Sequence, residues 1–155
     1  MRILHIDDNA MNLLVLDQML AALGHETVAV ASAKEALALL DQQSFDLIIS
    51  DIHMPEVDGV EFLRRMRASE GRNRELPVIA VTADVMSRRE DEYRELGFAA
   101  IAAKPLLMPS LERLLNTALA AAENGAFSSA GLKSGYSDED RVWLRAGGRG
   151  PSRKS

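Results

Sequence analysis

The chain has 155 residues, of which 47% are hydrophobic, and a formal net charge of −5. These values suit one globular domain with a sizeable core and argue against non-specific nucleic-acid binding by the whole chain. The absence of cysteine excludes disulfide frameworks and thiolate metal sites. No signal-peptide pattern opens the chain and no apolar run is long enough to cross a membrane, so we expect a cytoplasmic protein.

The first half of the chain predicts strands and helices in alternation. Gly24 is placed to close the first helix, and Ser32 with Glu35 forms a capping box that opens the second. The predicted strands cover residues 2–6, 26–30 and 47–49, and the predicted helices cover residues 10–23, 33–41 and 59–68.

The second half continues the alternation after a polar surface loop. The loop covers residues 69–76. It is followed by a strand (77–81), a highly charged helix (85–96), a weak strand (98–102) and a final helix (109–123). Five strands alternating with five helices predict a doubly wound α/β domain with a parallel sheet and helices on both faces.

The composition changes near residue 124. Residues 126–155 are rich in Gly, Ser and Arg and carry a net charge of +3, against −8 for residues 1–125. We therefore predict a domain over 1–124 and a disordered or weakly helical tail over 125–155, with a short helix at 137–144 that carries Trp143.

Chemically reactive side chains follow the predicted strands. Asp51 ends a buried apolar run, where an acid serves either as a helix cap or as a reactive group. The other residues of this kind are Asp7, Asp8, Thr82 and Lys104. Because the carboxyl ends of parallel strands share one edge of a sheet, we expect these side chains to converge there.

Three carboxylates gathered at one place repel one another, and a hard divalent cation relieves that repulsion. Oxygen ligands suit Mg²⁺ or Mn²⁺. A cation, a lysine, a hydroxyl group and a carboxylate nucleophile together suit phosphoryl transfer onto the carboxylate of Asp51.

The motifs at these strand ends resemble those of a known family. The segments I-D-D-N, S-D-I-H-M-P-E-V-D-G, V-T-A-D and A-K-P, in this order, are similar to the receiver domain of two-component response regulators over about residues 1–122. The resemblance implies a flavodoxin-like (βα)5 fold with a five-stranded parallel sheet in the order 2-1-3-4-5.

The resemblance also implies roles for the acidic residues. Asp51 matches the phosphoacceptor. Asp8, Asp51 and the backbone carbonyl of His53 match the direct ligands of Mg²⁺ (or Mn²⁺), and Asp7 matches the acid that holds the metal through water.

Three more residues match the groups that hold the phosphoryl group. Thr82 matches the hydroxyl that moves to bond the phosphoryl oxygens, Ala83 supplies a backbone amide, and Lys104 supplies the cation. The Lys104–Pro105 peptide bond matches one that is cis in the family. Pro55 and Gly59 match the loop that wraps the acceptor.

Three positions bear on the lifetime of the phosphoryl group and on the conformational response to phosphorylation. His53 and Asp84 match positions that tune phosphoryl lifetime, although His53 is equally explained as a surface loop residue. Ile101 stands where the family usually has Tyr or Phe, three residues before Lys104. This departure suggests a phosphoryl carrier or stoichiometric docking partner rather than a strong conformational switch.

The implied function is a signalling module, not an enzyme that turns over a separate substrate. It takes a phosphoryl group from a histidine kinase or histidine phosphotransfer protein, as a single-domain response regulator or phosphorelay carrier without a DNA-binding output domain. The first helix, with Met11, Leu14 and Val15, is the expected docking face for the donor. The fourth helix, fifth strand and fifth helix are the expected output face, on a monomer or weak homodimer that binds neither nucleic acid nor membrane.

Two alternatives remain open at this point. One is a phosphorylation-independent scaffold. The other is an Asp-nucleophile phosphatase of the haloacid-dehalogenase type, which needs a second acid where this chain has His53.

Overall fold

The structure, a computed structural model, describes residues 1–83 and 90–123, except for the side chains of Arg72, Glu90 and Glu123. Asp84, the start of the predicted charged helix and the predicted tail with its helix at 137–144 lie outside the described residues. Among the described residues, no helix combines the length and the apolar character needed to span a membrane.

Strands and helices alternate along the described chain. The strands are β1 (Arg2–Ile6), β2 (Glu26–Val30), β3 (Leu47–Asp51), β4 (Val78–Thr82) and β5 (Ala100–Ala103). The helices are α1 (Ala10–Ala22), α2 (Ala33–Leu40), α3 (Gly59–Ala68), α4 (Glu90–Leu96) and α5 (Met108–Glu123), and a short 3₁₀ turn covers Arg72–Glu75. The strands form one five-stranded parallel sheet in the order β2-β1-β3-β4-β5, which confirms the predicted fold class and strand order.

The chain divides into two compact units, Met1–Leu76 and Pro77–Ser155. In the first unit, β1 pairs in parallel with β2 on one side and with β3 on the other. The β3 strand is buried along its whole length, as its continuous apolar run predicts. Ile3, Leu4, Leu47 and Ile48 are fully buried and form the centre of this unit's core.

Local sequence signals set the helix ends in the first unit. Asn9, Ser32 and Asp58 cap α1, α2 and α3, and each side chain accepts a hydrogen bond from the backbone N–H three residues later. Such caps contribute about 1 kcal/mol each because they satisfy donors that the helix leaves unpaired. Gly24 follows α1 with φ of 90°, a left-handed conformation that glycine adopts without steric cost. The predicted ends at Ser32 and Gly24 are confirmed.

The prediction of a polar surface loop over residues 69–76 is wrong at its centre. Asn73 is 8% exposed and lies in the 3₁₀ turn. Its Oδ1 accepts from the backbone N–H of Phe45 at 3.4 Å, and its Nδ2 donates to the carbonyls of Leu40 and Gln43, each at 2.8 Å. Asn73 therefore satisfies three backbone groups between α2 and β3, a role that its polar neighbours in sequence do not reveal.

A buried histidine ties β1 to α1. The Nε2 of His5 lies 3.1 Å from Oδ1 of Asp17, and the hydroxyl of Thr27 donates to the same carboxylate oxygen. Burial lowers the pKa of His5, and the hydrogen bond from Thr27, followed by that from His5, lowers the pKa of Asp17. His5 is 1% exposed and is therefore a packed residue of the strand.

In the second unit, β4 and β5 pair in parallel, and Leu111, Leu114 and Leu115 of α5 are buried. The predicted fifth strand at 98–102 begins two residues too early. The backbone N–H of Phe98 donates to the carbonyl of Tyr93 at 3.2 Å, so residue 98 still closes α4 rather than extending along β4.

Candidate functional site

Three carboxylates cluster in the first unit. Asp7, Asp8 and Asp51 each offer an oxygen, and these oxygens all lie within 4.8 Å of one another. Asp7 and Asp51 are 9% and 5% exposed, whereas Asp8 is exposed. The acidic side chains that the sequence places at two strand ends are therefore brought together.

The strand register explains this convergence. Ile6 of β1 pairs with Ser50 of β3, so the residues that follow each of them, Asp7 and Asp51, leave neighbouring parallel strands at the same level. The backbone N–H of Asp7 also donates to the carbonyl of Val30 at 3.2 Å, which continues the contact between β1 and β2.

The start of α1 holds the carboxylate of Asp7. The backbone N–H of Asn9 donates to Oδ1 at 2.9 Å, and the side-chain amide of Asn12 donates to Oδ2 at 3.2 Å. Sequence reasoning did not assign Asn9 or Asn12 to the site. The available signal was the spacing D-D-N-x-x-N, in which a helix cap follows the acidic pair directly.

The loop after Asp51 folds tightly against that residue. The hydroxyl of Ser50 donates to the backbone carbonyl of Asp51 at 2.9 Å, and the N–H of Gly59 donates to the carbonyl of Ile52 at 2.9 Å. A Cβ atom at Gly59 would lie 2.4 Å from the carbonyl oxygen of Asp51. The loop therefore requires glycine at position 59. Pro55, another residue predicted to shape this loop, is exposed.

His53 is exposed in the same loop. Its side chain is not part of the cluster formed by Asp7, Asp8 and Asp51. Its predicted contact with the metal is made by its backbone carbonyl. An exposed imidazole there is compatible with a role in phosphoryl lifetime and with a plain surface position. Asp84, the other predicted lifetime residue, lies outside the described residues.

In the second unit, the predicted phosphoryl-binding residues lie at the ends of paired strands. Thr82 is the last residue of β4 and is fully buried, and Ala83 beside it is exposed. The backbone N–H of Lys104 donates to the carbonyl of Thr82 at 2.9 Å. The Lys104–Pro105 peptide bond is cis, as the resemblance implies.

Ile101 is buried within β5, with 6% of its surface exposed. It pairs with Ala80 of β4, and Thr82 pairs with Ala103 further along the same ladder. An aliphatic side chain therefore fills the interior at the position where the resemblance leads one to expect an aromatic ring.

The donor set of the acidic cluster fits a hard divalent cation. It consists of carboxylate oxygens, which Mg²⁺ and Mn²⁺ prefer, and it includes no sulfur or imidazole ligand. Asp7 and Asp51 are largely removed from water, so a bound cation would offset a repulsion that solvent screens poorly.

Comparison with known proteins places this chain among signalling domains. The sequence matches the family model described as "Response regulator receiver domain" over residues 3–116. The chain belongs to this family. Receiver domains are signalling domains that interact with histidine kinases and phosphotransfer proteins, and the parallel sheet described above is the fold that the resemblance implies.

Two individual proteins illustrate how similar this chain is to known sequences. The polar-differentiation response regulator DivK of Brucella ovis is 38% identical over 104 residues, which cover 67% of this chain and 84% of that protein. The virulence sensor protein BvgS of Bordetella bronchiseptica is 36% identical over 127 residues, which cover 79% of this chain but only 10% of that protein.

A solved structure of similar fold is the receiver domain of sensor histidine kinase PA1611 from Pseudomonas aeruginosa, with a magnesium ion coordinated in its active-site cleft. It is 32% identical, has a TM-score of 0.68, and the match covers 76% of this chain and 96% of that domain.

Proposed function

We propose that Asp51 accepts a phosphoryl group from a phosphohistidine of a histidine kinase or histidine phosphotransfer protein, in a reaction that requires Mg²⁺ or Mn²⁺. The observation that carries the proposal is the cluster of Asp7, Asp8 and Asp51 at the ends of two neighbouring strands. The magnesium ion in the similar receiver domain of PA1611 supports the same assignment of the metal.

In the proposed reaction, a carboxylate oxygen of Asp51 attacks the phosphorus atom. The P–O bond of an acyl phosphate forms, the P–N bond to the donor imidazole breaks, and the leaving imidazole retains the bonding electrons and takes up a proton. The Asp8 and Asp51 side chains and the backbone carbonyl of His53 would hold the cation directly, and Asp7 would hold it through water. When bound, the cation would neutralise charge on the phosphoryl oxygens.

Three residues that match phosphoryl-binding positions of the family are proposed to stabilise the phosphorylated form. The Thr82 hydroxyl, the Ala83 amide and the Lys104 ammonium are the proposed donors to the phosphoryl oxygens, because Thr82 is the last residue of β4, Ala83 follows it, and Lys104 follows β5. His53 and Asp84 are proposed to control access of water to the acyl phosphate. Pro55, Gly59 and Pro105 are proposed to shape the surrounding loops.

The donor is proposed to dock on α1. Met11, Leu14 and Val15 lie on this helix at spacings of three and four residues, and they are 64%, 53% and 47% exposed. Large apolar side chains exposed together indicate a binding surface rather than a solvated helix face. Since α1 begins two residues after Asp8, a helical bundle that docks on this patch would lie close to the acidic cluster.

We further propose a carrier or stoichiometric docking role, because Ile101 is a buried aliphatic residue at the usual aromatic switch position. Phosphorylation would then change partner affinity mainly through the phosphoryl group itself. Partner binding measured with and without beryllofluoride tests this point, and a large conformational change confined to residues 82–108 would contradict it. The α4, β5 and α5 elements are the proposed output face.

The phosphoacceptor assignment is tested with acetyl phosphate or beryllofluoride in the presence of Mg²⁺. We expect a 1:1 adduct with the wild-type chain and none with Asp51→Asn, measured by intact-protein mass spectrometry for acetyl phosphate and by ¹⁹F NMR for beryllofluoride. Glu70→Gln, which neutralises an exposed acid on the loop after α3, is the matched control and should retain the adduct.

Other results identify the alternatives. Multiple turnover of phosphate esters would indicate a phosphatase, and failure of the folded wild-type chain to form any adduct would indicate a phosphorylation-independent scaffold. Profiling phosphoryl transfer from candidate kinases then identifies the donor.

A further inference from the structure

The side chain of Asn12 connects α1 to the acidic cluster. Its Nδ2 donates to Oδ2 of Asp7 at 3.2 Å, while the backbone N–H of Asn9 donates to Oδ1 at 2.9 Å. Asn12 is itself held in place, because its backbone N–H donates to the capping oxygen of Asn9 at 3.0 Å. Both oxygens of Asp7 thus receive a hydrogen bond from the first turn of one helix.

These two hydrogen bonds restrict the carboxylate of Asp7. Rotation about its Cβ–Cγ bond would break both contacts, and each oxygen has one of its lone pairs committed to a donor. A carboxylate restricted in this way retains less freedom to change its coordination to suit a larger ion. Hydrogen-bonding partners of metal-site carboxylates commonly determine metal affinity through orientation of this kind.

Flexibility at such a site affects which cation it selects. Mg²⁺ requires near-octahedral geometry at short distances and keeps several waters, whereas Ca²⁺ accepts six to eight ligands at longer distances and often binds a carboxylate through both oxygens. Asp7 is proposed to hold the cation through water. A fixed Asp7 keeps this arrangement, which suits the hydrated Mg²⁺, whereas a freely rotating Asp7 would be able to turn and bind Ca²⁺ directly.

We propose that Asn12 is a positioning residue that gives the acidic cluster its preference for Mg²⁺ over Ca²⁺ by fixing the carboxylate of Asp7. This inference rests on the proposed function, because it requires that the cluster binds a divalent cation. Asn12 acts through Asp7, whose carboxylate accepts a hydrogen bond from its side chain.

The test is a titration of the full chain with Mg²⁺ and, separately, with Ca²⁺. Binding is measured by isothermal titration calorimetry and by ¹H–¹⁵N NMR. Asn12→Leu keeps the size of the side chain and removes the donor, and Asn12→Asp keeps the size and replaces the donor with a charged acceptor. Gln18→Leu, at another exposed position of α1, is the matched control.

We expect Asn12→Leu to weaken Mg²⁺ binding by about 10-fold, the lower end of the effect of losing such a partner, and to weaken Ca²⁺ binding less. Asn12→Asp changes both affinities through its added charge, yet it should also lower the preference for Mg²⁺. Gln18→Leu should leave both affinities and their ratio unchanged. A general loss of helix stability would not move the ratio of the two affinities, which makes the ratio the decisive readout.

An unchanged ratio in both Asn12 variants, in a wild-type chain that binds Mg²⁺, would overturn the role of Asn12 and leave the phosphoacceptor proposal intact. Failure of the wild-type chain to bind either cation would overturn both. Thermal unfolding without metal checks that each variant is folded.

Discussion

Gly59 leaves no space for a side chain beside the backbone carbonyl of Asp51. A Cβ atom at position 59 would lie 2.4 Å from that oxygen and 2.9 Å from Cα of Ile52. Both neighbours are backbone atoms, which cannot move aside as a flexible side chain can. The segment that follows the proposed acceptor can therefore adopt this conformation only with glycine at position 59.

Gly59→Ala should accordingly destabilise the fold by about 1–3 kcal/mol, the usual cost of overpacking, and should weaken beryllofluoride binding. Urea unfolding and ¹⁹F NMR measure the two effects. Gly24→Ala is the control: its φ of 90° makes alanine strained by about 1–2 kcal/mol, but nothing lies within 4 Å of the added atom, so the adduct should be unaffected. Wild-type stability and binding in Gly59→Ala would contradict the proposed steric requirement.

Neutralising Asp8 should have opposite effects on stability with and without metal. In EDTA, Asp8→Asn should unfold at a higher temperature than the wild type, because it removes one of three mutually repelling carboxylates. In Mg²⁺ at 100 times the dissociation constant, the wild type should gain about 2.7 kcal/mol, and the variant should gain much less. Differential scanning calorimetry in both buffers checks this.

Glu70→Gln removes the same charge from an exposed position away from the cluster and serves as the control for the Asp8 variant. It should respond to Mg²⁺ as the wild type does. An equal metal-induced stabilisation of Asp8→Asn and the wild type would rule out Asp8 as a ligand.

Leu14→Gln should slow phosphoryl transfer from a protein donor while leaving phosphorylation by acetyl phosphate unchanged. Leu14 is 53% exposed, so the substitution removes apolar surface that a docked helical bundle would cover, without disturbing the core. Loss of a well-placed apolar contact of this kind costs a complex roughly 1–2 kcal/mol, or about 10-fold in affinity.

Ala38→Gln changes an exposed position on α2 and is the control for the docking face. Single-turnover transfer from a phosphorylated donor, followed over a range of receiver concentrations, separates docking from chemistry. Equal transfer rates for Leu14→Gln and Ala38→Gln would place the docking face elsewhere.

Thr27→Val should raise the pKa of Asp17, because the hydroxyl of Thr27 makes the largest contribution to lowering it. A carboxyl group with a lowered pKa in the folded state stabilises the fold above its unfolded pKa, about 3.9, and this contribution is lost as pH falls through the folded value. The stability difference between wild type and Thr27→Val should therefore shrink on acidification below about pH 4.

The side-chain carboxyl signal of Asp17 and urea unfolding at several pH values measure these effects. Thr117→Val is the matched control, since Thr117 donates to the backbone carbonyl of Arg113 rather than to an acid. Its effect on stability should not depend on pH in this range. A pH-independent difference for Thr27→Val would show that the hydroxyl does not stabilise the ionised form of Asp17.

The sequence alone predicted the order of elements, the fold class and the acidic residues at the strand ends. These features follow from local rules: the β3 strand begins as a continuous apolar run, Ser32 and Gly24 mark helix ends, and polar residues end or follow four of the five strands. Because parallel strands end at one edge of a sheet, the meeting of Asp7 and Asp51 could also be anticipated.

Only the tertiary structure revealed how these groups are held. The contact of Asn12 with Asp7, the clearance between Gly59 and Asp51, and the hydrogen bonds of Asn73 to backbone groups near residues 40–45 depend on side-chain geometry and on partners distant along the chain. Hydrophobic periodicity indicates which face of an element is buried, but it carries no information about which polar atom meets which. That pairing is decided when the elements pack.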